Sequence, residues 1–175
     1  MSSINYDLSK IKGFAFDVDG VLSPSVIPLH PNGEPMRCVS VKDGYALQLA
    51  IKHGYQVAVI TGGNTEAVRK RFVGLGVQTV ILGADMKLQF FEEWLKNTGL
   101  KPEEVVYAGD DIPDYEAMRH AGLSVAPADA ASEIKEIAKY ISPLNGGQGV
   151  GREMFLNYSY SKDTKLSFEK KILKF

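Results

Sequence analysis

Short apolar runs alternate along this chain with longer stretches in which apolar residues recur at helical spacing. The runs predict six strands, near residues 11–16, 56–60, 80–82, 105–108, 124–125 and 140–141. Strands that are apolar on both faces and alternate with helices are typical of a parallel sheet covered by helices on its two sides. The predicted fold class is therefore α/β, a three-layer, Rossmann-like parallel sheet.

An insert at about residues 24–41 interrupts this alternation after the first strand. Two β-prone runs flank Pro31-Asn32-Gly33-Glu34, and Asn-Gly is a strong turn signal, so we predict an inserted β-hairpin. The intervals between the later strand ends leave no room for a cap domain. We expect a single domain over residues 1–175, with a lysine-rich tail at about 159–175 as a partly ordered end.

Two acidic residues follow the first strand directly. Asp17 and Asp19 are two positions apart, so their side chains can lean toward the same side, and Gly20 lets the backbone turn away. A solvated acidic turn is the alternative interpretation, because Asp-x-Asp-Gly alone is common in such turns.

Polar residues also follow the second and fourth strands. Thr61-Gly62-Gly63 precedes a helix and suits an anion, although a plain glycine-rich connection has the same pattern. Asp110, Asp111 and Asp114 follow the fourth strand, and their mutual repulsion predicts a compensating cation. Asp114 could alternatively cap the next helix. Lys87 lies in the first turn of a helix predicted over residues 85–97, where the helix dipole disfavours a cation, so it is either a surface residue or part of the site.

Composition excludes several classes of partner. The formal net charge of −1 and pI near 6.3 provide no basic field for nucleic acid. The apolar runs are too short to cross a bilayer and the N-terminus is unlike a signal peptide, so we predict a cytoplasmic protein that does not bind membranes. Cys38 is the only cysteine, which excludes an internal disulfide.

The strand ends together indicate phosphoryl chemistry. Facing carboxylates favour Mg²⁺, which prefers hard oxygen ligands and often pairs with a substrate phosphate. A phosphoryl group could then be held by the metal, Thr61 and Lys87, with one aspartate as the nucleophile.

The order Asp-x-Asp, Thr, Lys, Gly-Asp-Asp-x-x-Asp resembles the haloacid dehalogenase superfamily of phosphatases. The segments Asp-Val-Asp-Gly-Val-Leu-Ser, Ser-Val-Lys-Asp-Gly-Tyr and Ala-Gly-Asp-Asp-Ile-Pro-Asp, with the hairpin, narrow the likeness to the 3-deoxy-D-manno-octulosonate 8-phosphate phosphatase group, over roughly residues 11–158. The resemblance implies a fold of that superfamily and Mg²⁺-dependent hydrolysis of a phosphorylated sugar acid through an aspartyl phosphate. A nine-carbon sugar acid phosphate is the alternative substrate.

The resemblance also implies a role for each matched residue. Asp17 would be the nucleophile and Asp19 the general acid and base. The Mg²⁺ ligands would be Asp17, the Asp19 carbonyl and Asp110, supported by Asp111 and Asp114. The phosphoryl group would be held by Thr61, Gly62 and Lys87. The residues expected against the sugar acid are Lys42, Asp43, Gly44, Gln48 and Arg71.

One position departs from the group, because Gly63 stands where its members usually carry an arginine. Either Lys42, Arg69 or Arg71 supplies the missing cation, or the substrate differs. Two other classes compete with this interpretation: a signalling receiver domain, which the chain order of the acidic motifs disfavours, and a sugar-phosphate-binding protein without catalysis.

The hairpin leads to a further expectation. It carries apolar residues that need burial, and an isolated two-stranded hairpin is marginal in water. We therefore expect a homo-oligomer, a tetramer, in which hairpins pack together and a neighbour roofs each site. A hairpin folded back on its own domain is the alternative.

Overall fold

The computed structural model describes residues 4–162, with side chains to residue 157. All six predicted strands form: β1 (Gly13–Phe16), β2 (Gln56–Ile60), β3 (Thr79–Ile81), β4 (Val105–Ala108), β5 (Leu123–Ala126) and β6 (Tyr140–Ile141). The helices are α1 (Val41–Lys52), α2 (Glu66–Gly74), α3 (Lys87–Thr98), α4 (Tyr115–His120), α5 (Ser132–Ile137) and α6 (Val150–Lys162). Short 3₁₀ turns cover Leu8–Lys10, Pro102–Glu104 and Ile112–Asp114.

The six strands pair in parallel in the order β3-β2-β1-β4-β5-β6. Alternate strand residues face opposite layers, so Phe14 and Phe16 pack with α1, α2 and α6, while Ala15 packs with α3, α4 and α5. The predicted three-layer α/β fold is therefore confirmed. Chain order reverses between β1 and β4, and a crevice at the carboxyl ends of such neighbouring strands is where open α/β sheets bind ligands.

The insert forms a smaller hairpin than predicted. Its turn is present, but the two arms share a single antiparallel bridge, between Leu29 and Pro35, and no strand forms. Pro28, Pro31 and Pro35 each lack a backbone N–H, so a longer ladder cannot form.

The second predicted arm of the hairpin is also shorter than expected. Ser40 caps α1 by accepting a hydrogen bond from the Asp43 N–H at 3.2 Å, and Val41 is the first residue of that helix. Most of the predicted tail, residues 163–175, lies outside the described residues. None of the helices between residues 4 and 162 is long and apolar enough to cross a membrane.

Candidate active site

A cavity of about 450 Å³ lies at the carboxyl edge of the sheet, beside the reversal of chain order. Asp17 directly follows β1, Thr61 directly follows β2 and Asp110 follows β4 by two residues. The structure therefore brings together the polar residues that the sequence placed at separate strand ends. The lining residues are Asp17, Asp19, Ser25, Thr61, Gly62, Gly63, Ala84, Asp85, Lys87, Asp110, Asp111, Pro113 and Asp114.

A buried lysine joins two of the carboxylates at the floor of this cavity. Nζ of Lys87 lies 2.7 Å from Oδ2 of Asp17 and 2.8 Å from Oδ1 of Asp114, and the lysine side chain is 3% exposed. Oδ1 of Asp17 accepts the N–H of Val18 at 2.6 Å. A lysine at the start of α3 is unfavourable for the helix dipole, and these two ion pairs explain why it stands there.

The charges of this cluster do not balance. Three carboxylates, Asp17, Asp110 and Asp114, place oxygen atoms within 4.8 Å of one another, against the single charge of Lys87. Burial and the charge of Asp114 raise the pKa of Asp17 well above its ordinary value, and the same two causes, in that order, raise the pKa of Asp110 to about 7. The cluster is therefore short of positive charge.

The pKa of Lys87 is raised as well. Burial alone would lower it, but Asp114 and Asp17 outweigh that cost and keep the ammonium charged. When all three carboxylates are ionised, the cluster and its one cation together carry a net charge of about −2, and hard oxygen donors are the ligands that Mg²⁺ prefers. Asp17, Asp110 and Asp114 thus fit a divalent cation.

This set of carboxylates differs from the predicted ligands in one member. Asp114 was expected only to support the site, but it belongs to the cluster, and its Oδ2 also accepts the Asp110 N–H at 3.3 Å. The carboxylate of Asp19 is turned away toward an arginine. Coordination by its main-chain carbonyl stays a prediction.

Gly20 allows the Asp110 carboxylate to approach the turn that follows β1. Its φ is +89°, and a Cβ there would overlap the carboxylate of Asp110. Any side chain at position 20 would therefore displace a carboxylate of the cluster.

Thr61 is oriented by the glycine loop behind it. Its side chain is buried and accepts the N–H of Gly63 at 3.1 Å, so the hydroxyl proton can be donated to another group. The loop then leads into α2, whose N-terminus favours an anion.

Asp19 is held by a residue that our sequence reasoning missed. Arg37 donates to both of its carboxylate oxygens, from Nε at 2.6 Å and from Nη2 at 2.7 Å, and Ser23 donates to Oδ1 at 3.1 Å. Nη1 of Arg37 donates to Oγ1 of Thr65 at 2.8 Å. The arginine comes from the insert, whose path no periodicity in the sequence specifies.

Tyr107 was also missed. Its buried hydroxyl donates to Oδ1 of Asp114 at 3.0 Å, and burial together with Asp114 raises its pKa, so it keeps that proton. A polar group inside an otherwise apolar strand was the available signal.

The five residues predicted to contact the sugar acid lie apart from the cavity lining. Lys42 and Gln48 lie on α1, the first exposed and the second half-buried. Asp43 is buried and accepts the N–H of Arg152, in the first turn of α6, at 2.7 Å. Packing against α6 accounts for the buried position of Asp43, and its contact with the sugar acid stays a prediction.

Gly44 and Arg71 lie next to each other: a Cβ on Gly44 would be 2.7 Å from Nη2 of Arg71. Arg71 lines a second cavity, of about 330 Å³, together with His30, Glu34, Pro35, Met36, Arg37, Val39, Thr65, Ala67 and Val68. Nε of Arg71 is buried without a hydrogen-bond partner among the described residues.

Comparison with known proteins shows which proteins this chain resembles. The model of the haloacid dehalogenase-like hydrolase family matches residues 83–154. The 3-deoxy-D-manno-octulosonate 8-phosphate phosphatase KdsC of Escherichia coli K12 is 38% identical over 144 residues, which cover 82% of this chain and 77% of that protein.

Two solved structures are similar along almost the whole chain. The 3-deoxy-D-manno-octulosonate 8-phosphate phosphatase of Moraxella catarrhalis, in complex with magnesium, phosphate and KDO, superposes with a TM-score of 0.88 at 31% identity, covering 94% of this chain and 95% of that one. The 3-deoxy-D-manno-octulosonate 8-phosphate phosphatase of Yersinia pestis superposes with a TM-score of 0.86 at 34% identity, covering 89% of this chain and 84% of that one. This chain therefore belongs to the haloacid dehalogenase-like hydrolases, as a phosphoric monoester hydrolase of the group that contains the 3-deoxy-D-manno-octulosonate 8-phosphate phosphatases.

Proposed function

We propose that this protein is a Mg²⁺-dependent phosphatase for a phosphorylated sugar acid, of the 3-deoxy-D-manno-octulosonate 8-phosphate type, and that it works through an aspartyl phosphate on Asp17. The observation that carries the proposal is the buried Asp17–Lys87–Asp114 arrangement, at 2.7 and 2.8 Å, in a cavity shared with Thr61 and Asp19. The relatives' substrate and the magnesium of the Moraxella structure support it.

Asp17 is oriented for attack on phosphorus. Val18 and Lys87 fix its two oxygens, so the carboxylate faces the cavity in one orientation. Lys87 and the Thr61 hydroxyl can donate to the phosphoryl oxygens. Asp17, Asp110 and Asp114 would hold Mg²⁺, which when bound offsets negative charge on the carboxylates and on the transferring group.

Asp19 serves as the proton carrier. In the first half-reaction it gives a proton to the departing sugar oxygen as the Asp17 carboxylate takes the phosphoryl group. In the second it removes a proton from water, which attacks phosphorus and releases phosphate and free Asp17.

The substrate is tested with a panel of phosphorylated sugar acids. Eight-carbon and nine-carbon sugar acid phosphates, neutral sugar phosphates of similar size and an aryl phosphate are compared by kcat/KM with Mg²⁺. We expect the eight-carbon acid to give the highest value. A higher kcat/KM for the nine-carbon acid phosphate would identify that compound as the substrate instead. A preference for neutral sugar phosphates would refute the proposal.

We also propose that the single domain works as a homotetramer assembled through its hairpin. Val26 and Leu29 are 83% and 69% exposed in one chain. Packing against other copies of the chain would remove this apolar surface from water. Light scattering tests it: Val26→Glu with Leu29→Glu should lower the measured mass. A wild-type monomer with full activity would contradict the proposal.

A further inference from the structure

Arg37 links the lining of the active-site cavity with that of the second cavity. It contacts Asp19, which lines the 450 Å³ cavity, and it lines the 330 Å³ cavity itself. Its side chain is 8% exposed, and the guanidinium is fixed by three hydrogen bonds, two to Asp19 and one to Thr65. A cation is therefore held at a defined place beside the proposed acid and base.

Gly63 leaves the space that this guanidinium occupies. A Cβ at position 63 would collide with Nη2 of Arg37 and would lie 3.1 Å from Cζ. The φ of Gly63 is not in the left-handed region, so the backbone does not require glycine there. The guanidinium of Arg37 occupies the space that a side chain at position 63 would fill.

We propose that Arg37 binds the carboxylate of the sugar acid and so determines the preference for an anionic sugar. This inference rests on the proposed function. Arginine carries five N–H donors, and Asp19 and Thr65 account for three of them. The remaining two, one on each terminal nitrogen, suit a carboxylate, which arginine binds through paired hydrogen bonds.

The contact with Asp19 also distinguishes Arg37 from the three other cations that were considered from sequence. Of the three residues considered from sequence, Arg69 donates to the Val80 carbonyl at 2.8 Å and pairs with Glu66, and Lys42 is exposed. Arg71 lies across the second cavity, against Gly44. Arg37 alone among these four residues contacts Asp19.

The test compares Arg37→Met with wild type on two substrates, the sugar acid phosphate and the same molecule with its carboxylate converted to an amide. Wild type should prefer the acid, and Arg37→Met should lose on the order of 10²-fold in kcat/KM on the acid and much less on the amide. Arg37→Lys keeps a charge but not the paired donors, so its loss should be intermediate. Lys70→Met, on the exposed side of α2, is the matched control for charge removal.

An aryl phosphate separates this role from simple positioning of Asp19 and reports on folding. If Arg37 acted only through Asp19, the acid and the amide would lose by the same factor, because both have the same sugar leaving group, and the aryl phosphate would lose less. An unchanged preference for the acid in Arg37→Met would therefore overturn the inference. If wild type shows no preference for acid over amide, the proposed function itself fails, and that result is distinct.

A second pair of variants tests whether an arginine at position 63 can take the place of Arg37. Gly63→Arg alone should lower activity, because its Cβ meets Nη2 of Arg37. Combined with Arg37→Ala it should recover about tenfold of the lost preference for the acid, since the new guanidinium can enter the vacated space. A double variant no better than Arg37→Ala would contradict the assignment.

Discussion

The two cavities on either side of the Asp19–Arg37 ion pair are built in different ways. The acidic cavity is made by residues that directly follow core strands, and its carboxylates are held by buried partners such as Lys87 and Tyr107. The second cavity is made by the insert and α2, and it carries two arginines, Arg37 and Arg71. The sheet edge thus positions the acidic residues, whereas the insert and α2 supply the arginines that we propose distinguish one sugar from another.

The largest expected effect lies in the acidic cavity. Asp17→Asn removes the nucleophile at nearly constant volume, so kcat should fall on the order of 10⁴-fold or more on every substrate. Circular dichroism should show an intact fold. Glu116→Gln, which removes an exposed carboxylate from α4, is the control and should retain activity. A kcat of Asp17→Asn close to that of wild type would mean that another group attacks phosphorus.

Asp19→Asn tests the boundary between the cavities. The amide cannot carry a proton, so kcat should fall roughly 10²-fold or more, with the larger loss on sugar phosphates, whose leaving group needs the acid. The aryl alcohol leaves without that help, so the rate of the first step should fall less on an aryl phosphate. Equal rates for Asp19→Asn and wild type would show that the proton carrier is elsewhere.

The acidic cavity was largely predictable from sequence and the second one was not. Parallel strands end at one edge, so apolar runs followed by Asp17, Thr61 and Asp110 specify a shared site. Lys87 could be suspected because it opposes the helix dipole. Arg37 could not be placed in this way, because its contact with Gly63 depends on how three prolines shorten the hairpin.

Removing metal should expose the charge imbalance of the acidic cavity as a dependence of stability on pH. The folded pKa of Asp110 is about 7 and its ordinary value is 3.8. Between these values the folded state retains a proton that the unfolded state has released, so stability falls as pH rises toward 7 and then levels. In EDTA, the Tm of wild type should fall relative to Asp110→Asn between about pH 5 and pH 8, by a few degrees.

Magnesium should reverse that trend, because the charged form of Asp110 then has a partner. The Tm gain on adding Mg²⁺ should be larger at pH 8 than at pH 5 for wild type and small for Asp110→Asn. A constant Tm difference across the pH range in EDTA would contradict the assigned pKa of Asp110.

The smallest expected effect concerns Asp43, which belongs to neither cavity lining. Asp43→Ala removes the acceptor for the Arg152 N–H at the start of α6, so the free energy of unfolding should drop by about 1–2 kcal/mol in urea. Asp43→Asn keeps an acceptor oxygen and should lose less. kcat/KM on the sugar acid phosphate should change little. A large rise in KM with unchanged stability would instead support the predicted sugar contact.

The phosphoenzyme tests the central claim most directly. In Asp19→Asn, an aryl phosphate should still transfer its phosphoryl group, while the missing base should slow release of phosphate, so the intermediate should accumulate. After acid quench, peptide mass spectrometry should find one added phosphoryl group, on Asp17. Stoichiometric release of the aryl alcohol in the first turnover without a phosphorylated peptide, or with the group on Asp110 or Asp114, would contradict the account.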